Sequence, residues 1–333
     1  MLRILHNTKF DFLSRWRTAA ILVVVFILPA LVLLPVRGFH YSIEFTGGTL
    51  MQVQFREAPQ IADVRGALSD AGLPGVEIST FGTPNELLIR AQEEEHVAQQ
   101  EGGAETVASR ITNILAERFG EGEFSLLRTE AVGPKVGSEL RRQAAVALLI
   151  SFCLTLVYLA WRFEWRFGLA AVLATVHDIV ATLAFMLYMN IEISLFVVGA
   201  ILTVVGYSMN DTVVVFDRVR ENLRSDHRSS LKAILNRSVN ETLPRTVMTG
   251  TTTLASLLAL LIFGGAVIRP FAWVLSFGII IGTFSSIFVA NPILLLIEHK
   301  WPRKAGEATA KGKPRVPRED PSVARSKEPA GAR

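Results

Sequence analysis

The run Ser194–Phe216, SLFVVGAILTVVGYSMNDTVVVF, decides the fold. At about 1.5 Å rise per residue, a helix of this length crosses the ~30 Å hydrocarbon core of a bilayer. It is not uniformly apolar. Gly199, Thr203, Gly206 and Asn210 recur at helical spacing along one stripe, and Tyr207, Ser208 and Asp211 form another. An ionised aspartate inside a membrane costs roughly 2.5–3.5 kcal/mol on insertion scales. A helix polar on two sides is therefore surrounded by protein, and the segment reads as one member of a helical membrane bundle.

Five further apolar stretches give a count of six spans: Ala19–Val36, Ala144–Ala160, Phe167–Met189, Val247–Phe263 and Phe271–Ile297 accompany the quoted run. The bulk figures agree, with 50% hydrophobic and only 19% charged residues among 333 and a mean hydropathy of +0.38. The first stretch is longer than the apolar part of a signal peptide and ends in Leu-Pro-Val-Arg37 without a small-x-small cleavage pattern. It is expected to be retained.

Lysine and arginine bias orients the chain. Arg3, Lys9, Arg15 and Arg17 precede the first span, and Arg218, Arg220, Arg224, Arg228, Lys232, Arg237 and Arg245 crowd the connection between spans four and five. The tail is basic as well. Six spans place all three on one side, the cytoplasm. The intervening segment Gly38–Glu139 has seven Lys/Arg against sixteen Asp/Glu, a net of −9, and falls on the other side. The expected organisation is a cytoplasmic N-terminus (1–18), helix one (19–36), an extracytoplasmic domain (37–140), helices two to six (141–299) with a basic loop at 217–246, and a disordered basic tail (300–333).

Within the extracytoplasmic segment the hydrophobic period alternates between two and 3.6. Thr49–Phe55 reads as a strand following a hinge or turn at Glu44, Thr46, Gly47 and Gly48, and Ile61–Ala71 as a helix. Val76–Phe81 and Glu86–Ala91 read as strands joined by the turn Gly82–Asn85. After an acidic loop, Glu93–Gly103, come a helix, Thr106–Phe119, and a last strand, Glu123–Thr129. The order β-α-β-β-α-β is the ferredoxin-like arrangement. The fold class is thus a polytopic α-helical membrane protein with a small α+β domain.

A second membrane acid, Asp178, lies about eleven residues into span three, near the midplane. Ala171, Ala174, Thr175, Asp178, Ala181 and Thr182 share its helix face, and small hydroxylated residues let helices approach closely. His177 lies about 100° round the helix, so it and Asp178 need share no partner. Thr249, Thr252, Thr253 and Ser256 on span five, and Gly278, Gly282 and Ser286 on span six, extend the same signature. Spans three to six are expected to form one packed bundle, with one and two more exposed to lipid. Asp178 and Asp211 read either as structural carboxylates or as groups that gain and lose a proton, with Asn210 and His177 as neighbours on that path. One charge crossing the membrane potential yields about 2.3 kcal/mol per 100 mV, enough to bias a domain between two positions.

Other chemistries lack their residues. The single cysteine, Cys153, excludes an intrachain disulfide, and six scattered histidines without Cys-x-x-Cys give no metal cluster. There is no phosphate loop of the Gly-x-x-x-x-Gly-Lys-Ser/Thr type, and no Gly-x-Ser-x-Gly or His-Glu-x-x-His. No cofactor or metal is expected, and the chain does not read as an enzyme.

Ordered segments resemble the SecD/SecF family of protein-export membrane proteins over nearly the whole chain. They are Arg37-Gly38-Phe39 with Phe45-Thr-Gly-Gly48, Val132–Leu140, Arg162–Arg166, His177-Asp178, Gly206–Asp211 and Val215–Asn222. Asn236–Ser238, Arg245-Thr246, Phe263–Gly265 and Gly282–Ser286 complete the set. The resemblance implies a SecF-type subunit in the bacterial inner membrane, similar to half of a resistance-nodulation-division transporter. It implies pairing with SecD and docking on SecYEG, with YajC and YidC as further candidate neighbours. The proton gradient would draw a translocating preprotein outward after SecA has pushed it in. By position, Asp178 resembles the family's intramembrane proton-path carboxylate, and Asn210-Asp211 its neighbour on the next span. Glu44 stands where the family pattern has aspartate. Two other readings stay open: a proton-coupled small-molecule transporter subunit and a passive translocon scaffold.

Overall fold

The computed structural model describes residues 8–73, 75–91, 103–162, 164–226 and 228–301. Arg3, most of the acidic stretch read as a loop, and the tail beyond 301 lie outside them.

A 3-10 turn, Leu13–Arg15, leads into α1 (Trp16–Arg37), and a short helix α2 (Ile43–Thr46) follows it. The sheet domain then runs β1 (Gly48–Phe55), α3 (Ile61–Asp70), β2 (Glu77–Phe81), β3 (Thr83–Ala91), α4 (Gly103–Phe119) and β4 (Phe124–Val132). The four strands are antiparallel in the order β2-β3-β1-β4. That order follows from the expected βαββαβ sequence, in which each crossover helix returns the chain past a neighbouring strand. Strand alternation puts Met51, Val53, Phe55, Leu87 and Ile89 on one sheet face. They are buried there with Val64 and Leu68 of α3 and Ile111 and Leu115 of α4. The hairpin turn is tighter than expected. Gly82 turns the chain at φ +79°, and Thr83, Pro84 and Asn85 already belong to β3. Asn85 Nδ2 donates to the Phe55 carbonyl at 3.0 Å, which holds the strand start against β1.

The remaining elements are α5 (Pro134–Arg162), α6 (Trp165–Tyr188), α7 (Leu195–Ser225), α8 (Leu231–Phe263) and α9 (Gly265–Ser285). A π turn, Ser286–Ala290, joins α9 to α10 (Asn291–Lys300). Among the described residues, six helices are long and apolar enough to cross a membrane, α9 to α10 counting as one rod. Half of the apolar window is buried in the α6, α7 and α9–α10 spans, but only 17% in α8. The packed core is therefore spans three, four and six. Span five packs against spans four and six through Thr246, Gly250 and Leu257, while its outer hydroxyl-bearing face, with Thr252 and Ser256 exposed, points away from them.

The basic stretch at 217–246 is not a loop. α7 continues to Ser225 and α8 starts at Leu231, leaving only Asp226–Ser230 between them. Opposite charges at helical spacing support both extensions: Arg218 bonds Glu221 three residues on and Glu241 across the pair, each at 2.6 Å. The Ser230 hydroxyl caps α8 by accepting from Ala233 N–H at 3.3 Å. Asn236 and Asn240 of this extension clamp the N-terminal segment, accepting from Leu13 N–H at 3.1 Å and Phe10 N–H at 2.9 Å. Trp165 meets Trp301 edge to face at 5.9 Å, so the start of α6 and the end of α10 lie together.

Candidate functional site

Asp178 is completely buried. Its whole helix face, from Ala171 to Thr182, is buried as the small-residue spacing predicts. Three groups converge on the carboxyl. Ser208 of α7 donates to Oδ2, and Ser285 at the end of α9 donates to the same oxygen at 2.7 Å. His177 Nδ1 lies 2.8 Å from Oδ1. The expectation from helix geometry is that the two need share no partner; they bond each other directly, since adjacent side chains diverge at Cα but an imidazole reaches back far enough to meet its neighbour. His177 Nε2 is buried without a hydrogen-bond partner among the described residues.

Asp211 sits lower in the bundle, between α7, α8 and the π turn. Thr246 donates to Oδ1 at 2.6 Å and Ser286 to Oδ2 at 2.5 Å. The carboxyl borders a cavity of about 50 Å³ lined by Tyr207, Asn210, Val214, Arg245, Thr249 and Thr283. Val214 and Arg245 also line a larger cavity of about 790 Å³, with Arg162, Asp217, Arg224 and Glu241 among its walls. This larger space lies among the extensions of α7 and α8. The two cavities share Val214 and Arg245 as walls, so Asp211 lies one residue layer from the charged end of the bundle. Arg245 stands between the two cavities. Sequence reasoning counted it among the basic residues that orient the chain and among the segments of the family resemblance, but gave it no role at the site; its place directly before Thr246, at the entry to an apolar run, is the signal that could have singled it out.

The two acids are linked through adjacent residues. Ser285 serves Asp178 and Ser286 serves Asp211, at the junction where α9 gives way to the π turn. Asn291 Nδ2 donates to the Ser286 carbonyl at 2.7 Å. π turns interrupt α-helices mostly at functional positions. Upstream on α9, a Cβ at Gly278 would overlap Val204, and one at Gly282 would lie 2.9 Å from Ser208 Cβ. These two glycines let α9 press against α7 beside both carboxyls.

Two models of protein-export membrane proteins match this chain. One, SecD/SecF C-terminal, covers residues 112–300, and the other, the SecD/SecF GG motif, covers 32–59. The protein translocase subunit SecF of Gemmatimonas aurantiaca is 57% identical over 93% of this chain and 94% of its own length. That of Magnetococcus marinus is 43% identical, over 93% and 99%. The chain belongs to the SecD/SecF family. Within it, the chain is a SecF-type translocase subunit, a multi-pass transport protein and not an enzyme. The crystal structure of SecDF, a translocon-associated membrane protein from Thermus thermophilus, is 33% identical with a TM-score of 0.78. This chain covers 40% of that SecDF chain, and 90% of its own residues are matched.

The GG-motif segment of this SecF-type chain joins the bundle to the sheet domain. Glu44 Oε2 accepts from Leu195 N–H, the first residue of α7, at 2.6 Å, and from the Ser42 hydroxyl at 3.1 Å. Thr46 Oγ1 donates to the Ser42 carbonyl at 3.2 Å. Gly47 and Gly48 have φ of +78° and +121°, and a Cβ at Gly47 would lie 2.8 Å from Pro134 Cα. The remaining residues read as packing positions in SecF lie elsewhere. Thr203, Gly206 and Thr249 are exposed and Gly199 is half-buried, with nothing within 4 Å of a Cβ at either glycine. Asn210 is exposed too, at the rim of the Asp211 cavity. The polar stripe of the quoted run thus faces out of the chain, while Ser208 and Asp211 face in.

Proposed function

We propose that this SecF-type chain works with a SecD partner as the proton-driven part of bacterial protein export, pulling a preprotein outward through SecYEG after SecA has acted. In this reading Asp211 is the group that takes up and releases the proton. Asp178, with His177, is the second station on the same path. The observation that carries it is the placement of Asp211. A carboxyl bound by two hydroxyls, bordering a polar cavity whose Arg245 wall also faces the larger cavity at the basic end of the bundle, is placed to exchange a proton with water. Asp178 is completely buried and responds through the adjacent Ser285 and Ser286.

The basic N-terminal segment, the extensions of α7 and α8 and the end of α10 gather at one end of the bundle. By the lysine and arginine bias that end is cytoplasmic, with the sheet domain outside the inner membrane. The outward stripe at Gly199, Thr203, Gly206 and Thr249 supports a second bundle, SecD, packing against α7 and α8, since small residues permit close helix approach.

The test is Asp211→Asn and Asp178→Asn in vesicles containing the SecD complex, with an imposed proton gradient. Both variants are expected to assemble with SecD. Asp211→Asn should abolish the gradient-dependent part of late export, and Asp178→Asn should slow it. Unchanged gradient-dependent export in Asp211→Asn would leave a passive scaffold. Gradient-driven dye efflux without SecD would point instead to a small-molecule antiporter.

A further inference from the structure

The segment preceding α7 is tied to the sheet domain by a set of bonds that the proton site does not use. Arg90, on the inner strand β3, reaches Glu192 with Nη2 2.5 Å from Oε1, and Arg90 also pairs with Glu77 of β2 at 3.2 Å. Next to it, Ser42 N–H donates to the Ile193 carbonyl at 2.9 Å, and Ile193 N–H donates to the His40 carbonyl at 2.8 Å. Two residues on, Glu44 accepts from Leu195 N–H. Helix α7 then runs without a break or a proline from Leu195 to Ser225 and carries Asp211. The sixteen steps from Leu195 to Asp211 amount to about 24 Å of continuous helix.

We propose that the Arg90–Glu192 ion pair is the bond through which movement of α7 is passed to the sheet domain. This deepens the export reading above and rests on it. The chain connections into and out of the domain lead to α1 and α5, not to α7. A shift of α7 caused at Asp211 therefore reaches the domain through the segment 192–195. The backbone bonds there fasten α7 to the short connector after α1, whereas Arg90, itself paired with Glu77 of the neighbouring strand, is the sheet residue that reaches this segment.

The surroundings of Glu192 fit a bond whose strength matters. Burial between sheet and bundle pushes its carboxyl up from the ordinary value, Glu77 adds to this, and Arg90 and His40 oppose it. Glu44, Arg128 and Glu130 line the same small cavity, and Arg128 is bonded to Glu130. From the bundle side, Phe196, Ala266, Val267 and Pro270 contribute no charge. Arg90 and Glu192 are 16% and 32% exposed, so water screens them only partly.

The experiment compares Arg90→Gln, Glu192→Gln and the double variant with wild type in the SecD complex, scoring gradient-dependent export and thermal unfolding. Each single variant should lower gradient-dependent export roughly threefold to tenfold, and the double variant should be no worse than either single one, as expected for partners in one bond. Glu192→Asp, which keeps the charge but shortens the reach, should fall between them and guards against a fold lost through the neutral variants. Wild-type export in the single variants, or losses that multiply in the double one, would overturn the proposal. Asp211→Asn is run alongside: if it abolishes gradient-dependent export while the Arg90 and Glu192 variants do not, only the clasp is wrong. If Asp211→Asn also has no effect, the motor reading has failed first.

Discussion

Thr246 and Ser286 each bring one hydroxyl to Asp211, from different helices and to different carboxyl oxygens. Hydrogen bonds to a charged group contribute about 1.5–3 kcal/mol each, so removing one should perturb the site without emptying it. Ser286→Ala is expected to lower gradient-dependent export several-fold, and Thr246→Val with Ser286→Ala to approach the Asp211→Asn level. Export assays across the three variants check the order; equal export in wild type and the double variant would show that these hydroxyls are bystanders. Both membrane acids were visible in the sequence, because an aspartate inside an apolar run is costly and so informative. Their partners were not. Ser208, Thr246, Ser285 and Ser286 are common residues in membrane helices, and only the crossing of four helices decides which of them meet a carboxyl. The His177–Asp178 bond escaped for a similar reason: helical angles describe Cα directions, while an imidazole has reach of its own.

At the scale of the element, the close approach of α9 to α7 rests on Gly278 and Gly282. A larger side chain at Gly278 collides with Val204, and overpacking of this kind costs about 1–3 kcal/mol. Gly278→Leu should lower the melting temperature of the purified chain in detergent, whereas Gly199→Leu, which meets open space, should leave it unchanged. The α7–α8 turn offers a pH test. Hydrogen bonds from the Ser229 hydroxyl at 2.7 Å, from Ser229 N–H at 3.0 Å and Arg228 N–H at 3.1 Å, and from Arg237 at 3.0 Å act on Asp226. They hold its carboxyl far below the usual carboxylate range. A lowered folded-state value means that the bonds stabilise the fold above the ordinary carboxylate pKa of about 3.9 and lose that effect as pH falls towards the folded value. The melting temperature of wild type should exceed that of Asp226→Asn at pH 6, and the gap should shrink steadily below about pH 4. The helical character of 217–246 was hidden because charge was read only as topology; the same arginines and glutamates are also good helix formers with partners three residues away. The six spans and the strand order were legible because lipid thickness and the two hydrophobic periods leave few alternatives.

For the molecule as a whole, the outward stripe on α7 and α8 is a face of small and polar residues left exposed among the described residues. Leucine at Gly199 and Gly206 should abolish copurification with SecD while leaving the melting temperature of the isolated chain intact, a pair of readouts that separates interface from core. Loss of both would place these glycines inside the fold after all. The stripe was legible as a packing face, but a single sequence does not say whether the facing helix belongs to the same chain.

Gly47 and Gly137 let the incoming and outgoing connections of the sheet domain touch, a Cβ at Gly137 lying only 2.9 Å from Gly47 N. Two tethers that meet at one spot behave as a hinge pin rather than a pair of legs. In the proposed export cycle, motion of the domain would be a swing about that pin, and a small displacement beside it would become a longer arc at the far edge of the sheet.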